Sequence, residues 1–124
     1  MTVTHDFSSP RNLFEKLIRE GERMSIEVSG DNIFNFVSTA FHLQHWIKHS
    51  PLISSEVMKR LLRQISANKD IKHCQAIARA KEHFKTEISE NSAKLLVGND
   101  KIDLEEFKTN ILNLYSNYFT VKGR

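Results

Sequence analysis

Ile33-Phe34-Asn35-Phe36-Val37-Ser38-Thr39-Ala40-Phe41-His42-Leu43-Gln44-His45-Trp46-Ile47 decides the fold. Its apolar residues, Ile33, Phe34, Phe36, Val37, Ala40, Phe41, Leu43, Trp46 and Ile47, recur at helical spacing and cover most of a helix's circumference. A helix apolar on that many sides belongs at the centre of a bundle, packed by several neighbours. It is too short, and too often interrupted by Asn35, Ser38, His42, Gln44 and His45, to cross a bilayer. Ser29, Gly30, Asp31 and Asn32 form the turn before it, with Asp31 placed to cap it; Ser50-Pro51 ends it, since a residue before proline is pushed out of helical conformation.

Working outward, Ser9-Pro10 reads as the cap and first position of helix one, carrying Leu13, Phe14, Leu17, Ile18, Met24 and Val28 inward. A third helix is expected from Ser54 or Ser55, with Val57, Leu61, Leu62 and Ile65 on one side and Lys59, Arg60 and Arg63 on the other. A fourth, capped by Asp70, turns Ile71, Cys74, Ile77, Ala78 and Phe84 inward. Ala93 to Val97 followed by Gly98-Asn99-Asp100 suits a tight turn between two short strands. Asp103 and Glu106 have capping-box spacing ahead of a last helix whose seam is Leu104, Phe107, Ile111, Leu114, Tyr115 and Tyr118. The expected architecture is mainly α: one domain over residues 1–124, a compact bundle of about five helices with a short β-hairpin before the last.

A chain of 124 residues with 40% hydrophobic and 27% charged residues can build one core without staples. The lone Cys74 forms no internal disulfide, and the polar Met1 to Ser9 stretch does not resemble a secretion signal, so a reducing cytoplasm is expected. Net charge is only +3, but Lys48 to Lys85 holds nine Lys/Arg against three Asp/Glu, while the flanks are slightly acidic. Lys59, Arg60, Arg63, Lys72, Arg79 and Lys81 form the candidate nucleic-acid surface, which would take phosphate with little sequence preference and strong salt dependence.

Three further constellations carry chemistry. His42, His45 and His49 stand near one stripe of the second helix, a spacing zinc can use, although Leu43 stands where a zinc-protease helix needs glutamate; the other reading is a polar helix edge, and no metal or cofactor is expected. Gly98 to Phe107 resembles the end of a calcium loop, but Leu95 and Val97 would then fall at ligand positions, and a turn followed by a capping box accounts for the same residues. Arg79 and His83, four apart, would share a face of the fourth helix, where an imidazole base and a guanidinium could serve RNA cleavage. Cys74, among apolar neighbours, reads as core.

Phe34 to Trp46 also resembles the central helix of a group of small bacterial helical proteins that read roughly FNFxxTAxHLxDW. These carry a later segment ending Lys-His-Phe, where Ile77 to Phe84 stands here. The group is similar to the HEPN superfamily of helical bundles, which contains RNA-cleaving toxins and inactive RNA-binding or scaffold relatives. The resemblance implies a helical bundle pairing through helices and carries over His83 and, more loosely, Arg79. His45 stands in place of the group's acid and Glu82 in place of its lysine, and Ala80 follows the arginine. Active members usually have four to six residues between Arg and His, against the three here. The expectation is therefore a non-enzymatic interaction module working as a homodimer, with a protein or RNA as further partner and no membrane. The alternative is a metal-independent ribonuclease or RNA-binding protein using a basic helical groove.

Overall fold

The computed structural model describes residues 9–49 and 56–122. The expected Ser50-Pro51 break and the start of the third helix at Ser54 or Ser55 lie outside them. The elements in chain order are α1 (Pro10–Ile26), α2 (Gly30–Lys48), α3 (Glu56–Ala67), α4 (Lys69–Ala78), β1 (Phe84–Ile88), β2 (Ala93–Val97), β3 (Asp100–Asp103) and α5 (Leu104–Lys122). The mainly helical bundle with a small sheet before its last helix is as the periodicity implies.

Local chemistry sets most boundaries. Ser9 caps α1 with Pro10 at its first position, and Asp103 Oδ2 accepts from Glu106 N at 2.9 Å to open α5. Two caps fall elsewhere than expected. Ser29 rather than Asp31 caps α2, its Oγ accepting from Asn32 N at 3.1 Å; this leaves Asp31 in the first turn, where its charge favours the helix dipole. Asn68 rather than Asp70 caps α4, its Oδ1 accepting from Asp70 N at 2.8 Å and Ile71 N at 3.3 Å.

The larger correction concerns the end of α4. The helix stops at Ala78 instead of reaching Phe84. Lys81 N donates to Ala76 O at 2.8 Å and Ala80 N to Ile77 O at 3.0 Å, the paired bonds of a Schellman ending, with Ala80 left-handed at φ 59°. Phe84 then enters a third strand instead of a helix face. The sheet is an antiparallel meander in the order β1-β2-β3, with Phe84 opposite Val97 and Leu95 opposite Ile102. Gly98, at φ 57°, makes the tight β2–β3 turn.

The core centres on α2. Ile33, Phe36, Val37, Ala40, Leu43 and Ile47 are buried, as are Leu17 and Met24 from α1 and Phe107, Ile111, Tyr115 and Tyr118 from α5. Tyr115 reaches across to donate to the Ala40 carbonyl at 2.6 Å. A buried polar joint ties α1 to α2: Lys16 pairs with Glu20, and Thr39 Oγ1 donates to Glu20 Oε2 at 2.7 Å. Phe34, Trp46 and Val57, all expected in the core, are 44%, 37% and 50% exposed. Cys74 is core, as expected. No helix among the described residues is long and apolar enough to cross a membrane.

Candidate functional site: a basic cleft between three helices

The bend between α3 and α4 returns the chain against α2. Gln44 Nε2 on α2 donates to Ser66 Oγ on α3 at 2.7 Å, fastening these two helices near the C-terminal end of each. Beside that joint lies an open cleft of about 440 Å³ lined by Lys48, Leu62, Arg63, Ser66, Ala67 and Lys72. Each cation comes from a different helix. Leu62 and Ala67 supply an apolar floor, Ser66 a hydroxyl, and no aromatic ring lines the wall among the described residues. Lys48, Arg63 and Lys72 have no ion-pair partner among the described residues, whereas Lys59 lies 3.8 Å from Glu56.

Of the six basic residues expected to form one surface, the fold gathers Arg63 and Lys72 into this cleft, with exposed Lys59 and Arg60 on the same helix as Arg63. Arg79 and Lys81 lie past the C-terminal end of α4, and the seven residue steps from Lys72 to Arg79 span roughly 10 Å. Lys48 was missed. It sits in the last turn of α2, and only the packing of α2 beside α4 brings it to Lys72.

Arg79 and His83 do not share a helical face. Arg79 is the C-cap of α4, its guanidinium carbon 5.4 Å from the centre of the Phe41 ring in a cation–π contact. His83 lies beyond the left-handed Ala80, exposed, on a second cleft of about 270 Å³ lined by Phe34, Ile77, Ala80, Glu82, His83 and Phe84. Arg79 is not part of that lining.

His42 and His45 on α2 each meet Phe41, and His45 also meets the C-cap His49. His42 Nδ1 lies 2.7 Å from the Ser38 carbonyl, the Phe41 and His45 rings meet edge to face at 4.7 Å, and the His45 and His49 rings are 6.4 Å apart and nearly parallel. Burial, followed by the positive charges of Arg79, His49, Lys48 and His42, lowers the His45 pKa below its ordinary 6.5. Among the described residues no three His, Cys, Asp or Glu side chains are arranged to hold a metal ion.

A histidine that the sequence did not single out lies between two turns and α4. His73, on α4, has Nδ1 3.7 Å from Glu82 Oε2 and Nε2 3.0 Å from Asp100 Oδ2, the latter off the line of a hydrogen bond; Lys69 Nζ is 3.6 Å from the same Asp100 oxygen. These contacts place the turn after α4 and the β2–β3 turn beside His73 on α4. Comparison of the chain with protein-family models, with curated proteins and with solved structures found no match.

Proposed function

We propose that this chain is a non-enzymatic, HEPN-like binding module of the reducing cytoplasm, that it works as a homodimer, and that it takes the phosphate backbone of RNA in the cleft of Lys48, Arg63 and Lys72. The observation that carries the proposal is the convergence of three cations from three helices, without ion-pair partners among the described residues, on one open cleft. Counterions condensed on a polyanion are released when such cations replace them, which makes binding favourable and salt-dependent. Without a ring in the wall to stack on bases, recognition stays with the backbone and tolerates any sequence. Lack of catalysis is supported by Arg79 being held on Phe41 while His83 stands beyond the end of α4.

The test is fluorescence anisotropy of a labelled oligouridine across a salt series, with cleavage followed on a gel. Three contacts to single-stranded RNA give an expected log–log salt slope of about −2. Arg63→Gln and Lys72→Gln should each weaken low-salt binding by roughly 5- to 10-fold and flatten the slope by about 0.7, while Lys81→Gln, at the other end of α4, should change little. No binding at low salt, or equal loss in Lys81→Gln, would overturn the cleft as the binding surface. Cleavage abolished by His83→Ala would establish a ribonuclease instead.

A further inference from the structure

The two edges of the sheet differ. β3 leads directly into α5 and packs on it, whereas β1 is held by β2 and packs against little else. Ile88, at the end of β1, is 63% exposed although it shares the sheet's inner face with Phe84 and buried Leu95 and Val97. Ser89 N donates to Ser92 O at 2.8 Å, which sets the phase of the β1–β2 ladder. Counting back from that pair, Lys85 and Glu87 aim their backbone groups at β2, while Phe84, Thr86 and Ile88 aim theirs outward from the sheet.

We propose that β1 pairs antiparallel with β1 of a second copy of this chain, about a two-fold axis at Thr86, joining the two sheets into one. Phe84-Lys85-Thr86-Glu87-Ile88 is self-complementary in that register. Thr86 meets Thr86, Lys85 meets Glu87 in both directions, and Phe84 meets Ile88. Every outward amide and carbonyl of the strand finds a partner, because Phe84, Thr86 and Ile88 fall at the hydrogen-bonded positions. The Lys–Glu pairs fall at the intervening positions, where side chains on opposed strands come closest. Lys85 has no ion-pair partner within the protomer among the described residues, while Glu87 is 3.1 Å from Lys101 on the same outer face. Exposed Ile88 of each copy is carried to the Phe84 of the other, at the cleft that Phe34 and Phe84 line.

Neighbouring registers are excluded by charge. Centring the axis on Lys85 or Glu87 opposes that residue to itself, and like charges directly across a ladder are destabilising. The β3 edge is the poorer candidate because β3 runs directly into α5 and packs on it. A contact one short strand long belongs with weak, concentration-dependent associations.

This surface presupposes the self-association proposed above and assigns it to the sheet edge instead of the helices. Sedimentation velocity on the full chain, from micromolar to near-millimolar concentration, should show a monomer–dimer equilibrium. Thr86→Pro should abolish it with an unchanged circular dichroism spectrum, because the lost amide faces outward and β2 does not use it. Lys85→Glu should raise the dissociation constant about tenfold, and adding Glu87→Lys should restore it. Amide exchange gives an independent pattern: Phe84, Thr86 and Ile88 become protected as concentration rises, while Lys85 and Glu87 are protected throughout. A dimer indifferent to Thr86→Pro and Lys85→Glu would overturn the β1 edge and leave self-association standing. A monomer at every concentration would overturn both.

Discussion

Ala80→Gly is expected to stabilise the protein, contrary to the usual effect of glycine near a helix. Ala80 is the left-handed residue of the Schellman ending, at φ 59°, with both characteristic bonds formed by its own amide and that of Lys81. Holding an alanine there costs about 1–2 kcal/mol, because its Cβ crowds the following carbonyl. Glycine relieves that cost and returns about 0.5–1 kcal/mol through the greater freedom of the unfolded chain. The net gain is about 0.5–1 kcal/mol, read as a higher urea midpoint at unchanged m-value, or as a melting temperature raised by about 2–4 °C. A helix continued through Phe84, as the spacing of Ile77, Ala78 and Phe84 invites, would put the same glycine in a helix interior, where it costs about 1 kcal/mol. The two structures therefore predict opposite signs. A lowered midpoint would refute the Schellman ending and return Arg79 and His83 to one face, and with them the argument for ribonuclease chemistry.

Two further outcomes test the interior. His45 should titrate below 6.5 by NMR, since burial and then Arg79 disfavour its charged form; Arg79→Gln should move the midpoint up towards 6.5, and an unmoved midpoint would discard the arginine's part. Between the folded and unfolded pKa values the unfolded chain holds more protons, so His45's contribution is present above 6.5 and lost as pH falls through its lowered folded value. Tyr115→Phe removes the buried bond to the Ala40 carbonyl and should cost about 1–1.5 kcal/mol in denaturant titrations, whereas Tyr118→Phe removes a buried hydroxyl with no partner among the described residues and should be neutral or stabilising by up to about 1 kcal/mol. Equal losses in the two variants would contradict this difference.

What the sequence by itself determined is what neighbours in the chain can decide. Ser9-Pro10, the apolar spacing of α2, the Gly98 turn and the Asp103 cap are set by contacts within a turn or two, and each is legible in the residue types. Ser29 and Asn68 took their caps from Asp31 and Asp70 because several residues at each junction can accept from a free amide, and the chain's entry direction chooses among them. Ala76 to Phe84 keeps a helix's pattern with a good helix former at Ala80, so nothing local ends α4. The end is seen only in the tertiary structure, where Phe84 pairs opposite Val97 and Glu82 and Asp100 lie beside His73. The basic cleft is likewise tertiary. Arg63 and Lys72 could be named from composition, but Lys48 lies in another helix, and charge along a chain does not reveal which helices will pack side by side. Packing α2 against α3 and α4, driven by the burial of Leu43, Ile47, Ile65 and Ile71, placed the three cations around one opening.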